Sequence, residues 1–250
     1  KVLVDQVNED FGDDKLKLDV LERGYDSIEG KYNLKKLKNK IKIQTGSQAV
    51  AIGALNSGVE NYIAYPMTPA TGLMHELASY QKDPKYKDKL IVYQIENEVA
   101  CVNAGLGSSF TGVKTMIGTS GGGFDLMSEG LSLQGITHIP LTIYLASRPG
   151  PGTGVPTYTA QADLNIALRA GHGEFPRFVV APGDPRECEE LTNYAMYIAE
   201  NFGVLSVILS DKHLAESEFS LSKPVDKAIK FSVKRKIPGK LIVRKSSYEV

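Results

Sequence analysis

Two glutamates stand where a carboxylate could bind a polar ligand. Glu96 and Glu98 lie at the predicted start of a helix, in the segment IENEVACVNAGLGSSFTG at 95–112. This helix is rich in small residues, which would let a second backbone or a cofactor approach closely. An acid at a helix start also complements the helix dipole, by a few tenths to about 1 kcal/mol. Because that simpler explanation fits both glutamates equally, the pattern alone does not choose between them.

A glycine-rich loop, TSGGG at 119–123, follows the same helix after a short interval. Such a turn between a strand and a helix exposes backbone N–H groups to a phosphate or to the polar edge of a ring. Ser120 and Gly121 are therefore candidate cofactor-binding residues. The loop is not a G-x-G-x-x-G motif and no Gly-Lys-Thr follows it, so a nucleotide-binding fingerprint is absent.

The loop YPMTPAT at 65–71 could present a hydroxyl group to the same ligand. Two prolines, including Pro66, restrict its backbone and remove donors, so the turn is expected to be rigid. Thr68 would then project from a defined position. The simpler alternative is an ordinary strand-to-helix turn in which Thr71 caps the helix.

Arg148 is the candidate for gripping an anionic substrate. It stands at the end of a predicted strand and before the loop PGPGTGVPT at 149–157. A guanidinium group there could bind a carboxylate through two parallel hydrogen bonds. The alternative is a surface arginine on a flexible loop.

Predicted strands and helices alternate along the chain, and they must position these residues. Near-continuous apolar runs alternate with helical stretches, which predicts an α/β fold with a doubly wound, mostly parallel sheet. All four loops follow a predicted strand, so they should meet at the carboxyl edge of that sheet, where ligands bind. The predicted strands are 62–65, 90–94, 114–119, 140–146, 178–181 and 204–210, and the predicted helices are 47–57, 71–82, 98–110, 124–134, 159–170 and 184–201.

Composition excludes several classes of function. The 250 residues carry no formal net charge, so bulk electrostatics favours neither nucleic acid nor a membrane surface. Cys101 and Cys188 are far apart in the sequence, which argues against a zinc or cysteine-ligated cluster site and fits a reducing, cytoplasmic location. No apolar run approaches the roughly 20 residues of a membrane span.

Changes in charge density and in residue pattern along the sequence divide the chain into three parts. Residues 1–44 are densely charged and predict a linker, or the tail of a preceding domain, with a short helix or two. Residues 45–220 predict the α/β domain. Residues 221–250 are basic and predict the start of a connecting or following domain, with short β-runs at 229–233 and 240–243. Because the chain begins with Lys1, we expect it to be part of a longer protein.

Taken together and in this order, the motifs resemble those of the α subunits of 2-oxoacid:ferredoxin oxidoreductases. YPMTPAT resembles the Y-P-I-T-P-S-T motif of that family. Similar motifs are ENEVA at 96–100, the TSGGG loop, GPGTGVPT at 150–157, QADL at 161–164 and GHG at 171–173. The resemblance extends from about residue 45 to residue 219. It implies the pyrimidine-binding domain of a thiamine diphosphate enzyme, from a chain in which γ and α parts are fused.

The resemblance also implies roles for particular residues. Glu98, rather than Glu96, corresponds to the glutamate that binds N1′ of the aminopyrimidine ring and favours its imino tautomer. Pro66, Ser120 and Gly121 would contact the cofactor, while Thr68 and Arg148 would bind the 2-oxoacid. No metal ligand is assigned to this chain.

The family's chemistry implies partners as well. It predicts oxidative decarboxylation of a 2-oxoacid to acyl-CoA and CO₂, with electrons passed to ferredoxin. A β subunit would carry the diphosphate site and Mg²⁺, and [4Fe-4S] clusters would lie on a partner chain or domain, so this chain alone is expected to be inactive. The alternatives are the pyrimidine domain of a non-redox thiamine diphosphate decarboxylase and a non-catalytic assembly subunit.

Overall fold

A computed structural model describes residues 2–30, 41–221, 225 and 227–232. The chain separates into two compact units, Lys1–Lys40 and Ile41–Val250. In the first unit α1 spans Val2–Phe11 and α2 spans Lys15–Asp26. The Asp14 carboxylate caps α2 by accepting hydrogen bonds from the backbone N–H groups of Leu16 and Lys17, and α2 has no buried residue. This matches the predicted helix on a solvated segment.

The second unit is built on a six-stranded sheet whose strand order is β3-β2-β4-β5-β7-β6. Every pair of neighbouring strands is parallel. The predicted fold class is therefore confirmed, and each of the six strands predicted between residues 62 and 210 is found within one residue of its predicted start and end. The strands are β2 (Asn61–Ala64), β3 (Ile91–Gln94), β4 (Thr115–Thr119), β5 (Leu141–Ser147), β6 (Arg177–Val180) and β7 (Leu205–Asp211).

Helices cover both faces of this sheet, as the apolar character of the strands predicts. Strands β4 and β5 are buried along their whole length, and the buried apolar residues form one cluster on each face. The helices are α3 (Gly46–Asn56), α4 (Thr71–Tyr80), α5 (Glu98–Phe110), α6 (Gly121–Leu126), α7 (Ser128–Thr137), α8 (Leu164–Arg169), α9 (Pro185–Phe202) and α10 (Lys212–Glu216).

Two short strands form a separate antiparallel pair that the sequence patterns do not predict. These are β1 (Lys42–Gln44) and β8 (Phe219–Leu221), and they join the two ends of the α/β unit. Beyond them, residues 227–232 form an irregular segment that is held against α9. Asn193 accepts a hydrogen bond from the Ile229 N–H and donates one to the Ile229 carbonyl.

Three predicted elements differ from the structure. The helix predicted at 124–134 is two helices, because a tight turn at Met127 separates α6 from α7. The helix predicted at 159–170 begins only at Leu164, because side-chain hydrogen bonds hold residues 159–161 in a loop. The strand predicted at 229–233 is absent from its described part, and the run at 240–243 lies outside the described residues.

Candidate active site

The candidate residues lie in the loops that follow β2, β3, β4 and β5. Because these strands are parallel, the four loops leave the same carboxyl edge of the sheet. Thr68 follows β2, Glu98 follows β3, Ser120 follows β4 and Arg148 follows β5. The structure therefore brings together the four loops that the sequence patterns single out.

Burial distinguishes the two glutamates. Asn97 is the N-cap of α5 and accepts a hydrogen bond from the Ala100 N–H at 2.7 Å, which makes Glu98 the first helical residue. Glu98 is only 3% exposed, whereas Glu96 is exposed and accepts a hydrogen bond from the Asn97 side chain. A helix dipole stabilises a partly buried acid by at most about 2 kcal/mol, which is less than the several kcal/mol that burial of a charged group costs. The helix-dipole explanation is therefore insufficient for Glu98.

One oxygen of the Glu98 carboxylate, Oε1, has no hydrogen-bond partner among the described residues. An unpartnered buried polar group is costly, and a buried carboxylate more so, unless a ligand satisfies it. Ser120 is also fully buried, and its Oγ likewise lacks a described partner. Glu98 follows β3 and Ser120 follows β4, the two strands that flank β2 at the same edge of the sheet. Together they mark a place where a polar molecule could bind.

Glycine is required beside Glu98 because the backbone of α6 approaches the carboxylate closely. A Cβ at Gly123 would lie 2.7 Å from Glu98 Oε1 and 2.1 Å from the hydroxyl oxygen of Thr119. A Cβ at Gly121 would lie 2.6 Å from both carboxylate oxygens of Asp163. The glycine loop therefore fits between two acids, and any larger residue would displace one of them.

Gly105 lets α5 approach a second backbone closely, which is one of the two alternatives that the sequence suggests. A Cβ at Gly105 would lie 2.7 Å from Ile117 Cγ2, so this glycine lets α5 pack closely on the sheet. Cys101 faces the same interior, as predicted, and its thiol donates to the Ile63 carbonyl at 3.2 Å. Burial raises the pKa of the Cys101 thiol to about 12. This side chain is therefore part of the core and is protonated at neutral pH.

Arg148 is buried, at 8% exposure, and bridges two of the loops. Its Nη1 donates to the Thr68 carbonyl at 2.9 Å and its Nη2 donates to the Thr153 carbonyl at 2.8 Å. The alternative of a surface arginine on a flexible loop is therefore wrong. A guanidinium group has five N–H groups, so these two bonds leave capacity for a carboxylate.

Sequence reasoning did not assign two acids at this edge. Asp163 lies against Gly121, and its Oδ2 has no partner among the residues described. Asp211 ends β7 and accepts a hydrogen bond from the Gln161 side chain. The available signal was the QADL motif at 161–164 for Asp163 and the strand-end position for Asp211.

Comparison with known proteins identifies the class of site. Residues 52–242 match the family described as pyruvate flavodoxin/ferredoxin oxidoreductase, thiamine diphosphate-binding. The chain belongs to this family. It contains the family's thiamine diphosphate-binding region, which also agrees with the resemblance of the separate motifs.

The relatives that this chain matches are longer than the chain itself. The α subunit of 2-oxoacid:ferredoxin oxidoreductase 1 from Sulfurisphaera tokodaii is 38% identical over 229 residues, which cover 86% of this chain and 36% of the relative. The 2-oxoglutarate synthase subunit KorA from Archaeoglobus fulgidus is 36% identical over 179 residues, covering 72% and 51% of the two chains. This chain therefore spans between about a third and a half of the length of these relatives.

A solved structure shares the fold. The 2-oxoglutarate:ferredoxin oxidoreductase from Magnetococcus marinus, with 2-oxoglutarate, coenzyme A and succinyl-CoA bound, has a TM-score of 0.74 and 31% identity to this chain. The match covers 89% of this chain and 40% of that one. The doubly wound sheet is thus the family's sheet.

The residues present fit the pyrimidine part of thiamine diphosphate. The Glu98 oxygen and the Ser120 hydroxyl have no partner among the residues that the structure describes. The first can accept a hydrogen bond from a ring nitrogen, and the second can bind a polar ring substituent. Gly121 and Gly123 keep the adjacent backbone free of side chains.

Within the described part of the chain, no helix is long and apolar enough to cross a membrane.

Proposed function

We propose that this chain supplies the pyrimidine-binding half of the active site of a 2-oxoacid:ferredoxin oxidoreductase. The reaction converts a 2-oxoacid and coenzyme A into an acyl-CoA and CO₂, and the electron pair that is released passes to ferredoxin. The single observation that carries this proposal is the buried Glu98 carboxylate, one oxygen of which has no hydrogen-bond partner among the described residues, in a chain of this family.

In this proposal, Glu98 has the role of the acid that activates the cofactor. Thiamine diphosphate, when bound, supplies a carbon nucleophile and stores the electrons of the broken bond. Glu98 would hold a proton between its Oε1 and the pyrimidine nitrogen, in a site from which water is excluded. Pro66, Ser120 and Gly121 would contact the ring, since they lie on the loops after β2 and β4.

In this proposal, Arg148 and Thr68 bind the substrate. Arg148 is fixed by its bonds to the Thr68 and Thr153 carbonyls, so its remaining N–H groups point in defined directions. A fixed guanidinium can bind the 2-oxoacid carboxylate with little further loss of entropy. Thr68 would orient the same substrate through its hydroxyl group.

The remaining parts of the machinery would come from elsewhere. We place the diphosphate and Mg²⁺ on a β subunit, and the [4Fe-4S] clusters on a partner chain or another domain, in a cytoplasmic complex. The 1–44, 45–220 and 221–250 boundaries remain our proposal for the domain organisation. The relatives' names support a 2-oxoacid as substrate and coenzyme A as acceptor.

The test is an activity screen of the reconstituted complex with its β subunit, using pyruvate, 2-oxoglutarate and branched-chain 2-oxoacids. We expect reduction of ferredoxin that depends on both the 2-oxoacid and coenzyme A. CO₂ release without ferredoxin reduction would instead support a non-redox decarboxylase. Assembly with no CO₂ release from any 2-oxoacid would support a non-catalytic subunit.

A further inference from the structure

A buried acid outside the assigned site anchors the loop that follows Arg148. Asp211, at 7% exposure, ends β7 and caps α10 by accepting a hydrogen bond from the Leu214 N–H at 2.9 Å through Oδ1. Its other oxygen, Oδ2, accepts a hydrogen bond from Gln161 Nε2 at 2.6 Å. Thr159 adds a longer contact of 3.5 Å from its hydroxyl to Oδ1. One carboxylate thus joins a helix cap to the end of a loop.

The same loop is anchored at its start by Arg148. This arginine donates to the Thr153 carbonyl, and the Thr153 methyl group would lie 3.1 Å from a Cβ at Gly122. Between the two anchors the loop is exposed, and Tyr158 has 65% of its surface accessible. Because glycine and proline residues here bury little apolar surface, side-chain hydrogen bonds must hold the loop in place.

We propose that Asp211 and Gln161 are positioning residues for the reaction. They hold the 149–163 loop so that Thr153 fixes one side of the Arg148 guanidinium. Release of the Gln161 anchor would free Thr153 to move, and Arg148 would lose a partner that sets its direction. The catalytic part of this inference rests on the proposed function, whereas the anchoring itself is a property of the fold.

A simple helix cap does not account for this arrangement. Capping of α10 uses Oδ1 alone, whereas Gln161 binds Oδ2. The hydrogen bond from Gln161 goes to an ionisable carboxyl group, and hydrogen bonds to charged groups are stronger than neutral ones. The two functions of Asp211 can therefore be separated by changing its partner while the cap is kept.

Two variants make this separation in the reconstituted complex. Gln161→Glu removes the donor and places a carboxylate opposite Oδ2, without altering the cap. In the double variant Gln161→Glu and Asp211→Asn, the Asn side chain can still accept from the Leu214 N–H and can donate to the new carboxylate. The pair therefore restores the anchor with its charges exchanged.

Two measurements report on these variants. The first is the KM for the 2-oxoacid together with kcat. The second is the rate of chymotryptic cleavage after Tyr158, the only aromatic residue in the loop. Cleavage at an exposed loop rises when the loop is released from the surface, and this reading does not require turnover.

The proposal predicts that Gln161→Glu raises the KM about tenfold to a hundredfold, the usual range for a lost hydrogen bond to a charged group. It predicts a smaller change in kcat, faster cleavage, and recovery of both quantities in the double variant. An unchanged KM and cleavage rate in Gln161→Glu would overturn it, as would a failure of the double variant to recover. If no 2-oxoacid is turned over by the wild-type complex, the proposed function fails, and the cleavage rates alone decide whether the anchor exists.

Discussion

Gly123 and the carboxylate of Glu98 lie so close together that any side chain at position 123 would occupy the space of the carboxylate. A Cβ there would approach Oε1 to 2.7 Å and Cγ to 2.8 Å. The glycine loop after β4 thus shapes the surroundings of the acid after β3. The position of the Glu98 carboxylate, the central chemical group of the site, therefore depends on Gly123, which has no side chain.

Gly123→Ala should therefore impair the site through Glu98. The added methyl group must displace Glu98 or Thr119, and overpacking of this kind usually costs about 1–3 kcal/mol of unfolding free energy. A shift of the carboxylate by about 1 Å should reduce turnover about a hundredfold. The checks are urea unfolding of the chain and kcat of the reconstituted complex.

Gly107→Ala is the matched control, because this glycine lies in α5 and a Cβ there would meet, apart from its own helix backbone, no atom of the described residues within 4 Å. Alanine is favoured over glycine inside a helix by about 1 kcal/mol. The control should be as stable as the wild type or more so, with normal turnover. Equal losses in both variants would contradict the proposed contact.

Arg148→Lys should show whether the bridge between the loops matters beyond its charge. A single ammonium group cannot span the Thr68 and Thr153 carbonyls as the guanidinium does, so at least one carbonyl loses its partner. We expect a loss of about 1–3 kcal/mol in unfolding free energy and a KM for the 2-oxoacid raised at least tenfold. Arg169→Lys, on an exposed position of α8, should change neither quantity. A normal KM in Arg148→Lys would remove the arginine from the substrate site.

Thr68→Val should test the hydroxyl group of Thr68 separately from its carbonyl. Valine has nearly the same shape, and the carbonyl that accepts from Arg148 is retained. Stability should change by less than about 1 kcal/mol, because Thr68 is partly exposed, while kcat/KM for the 2-oxoacid should fall about tenfold. Retention of full kcat/KM would show that the hydroxyl does not contact the substrate.

The buried thiol of Cys101 should make stability depend on pH at the alkaline end. Its pKa is raised by burial from an ordinary value of 9.0 to about 12, so the folded state holds the proton more tightly than the unfolded state. Its contribution is fully present below pH 9.0 and is lost as pH rises through about 12. Within this window one such thiol lowers the unfolding free energy by about 1.4 kcal/mol per pH unit.

Cys101→Ser isolates that contribution. Serine can still donate to the Ile63 carbonyl but does not titrate in this range. Denaturant unfolding should therefore be measured at pH 8.5–10.5. We expect the unfolding free energy to fall less steeply with pH in the variant than in the wild type, and the difference between the two slopes should approach the contribution of one thiol. Parallel declines for the two proteins would mean that Cys101 ionises in the folded and unfolded states alike.

The sequence predicted the sheet well because its signals are local and repeated. Strands such as β4 and β5 are buried on both faces and appear as continuous apolar runs, and each of the four loops follows a predicted strand. Parallel pairing then places the loops at one edge without further information. The turn at Met127 gives no comparable signal, because the residues around it favour a continuous helix.

The sequence predicted the site only in part, for geometric reasons. Glu96 and Glu98 differ by two positions, and only the capping register set by Asn97 decides which of them is buried. The Arg148 bridge depends on the Thr68 and Thr153 carbonyls, whose directions no residue type reveals. The bond from Gln161 to Asp211 joins residues separated by 50 positions, with no pattern connecting them.

Glu98 is the centre of this account, and the pair of substitutions Glu98→Gln and Glu96→Gln tests it most directly. Both remove one negative charge near the start of α5, but of the two only Glu98 is buried with an oxygen that lacks a partner in the described part of the chain. Acid–base groups of this kind contribute about 10²–10⁴-fold to rate. The measurement is kcat of the reconstituted complex with thiamine diphosphate, 2-oxoacid and coenzyme A, after assembly has been confirmed by size. We predict at least a hundredfold loss for Glu98→Gln and near-normal turnover for Glu96→Gln; normal turnover in Glu98→Gln, or an equal loss in both, would contradict the account.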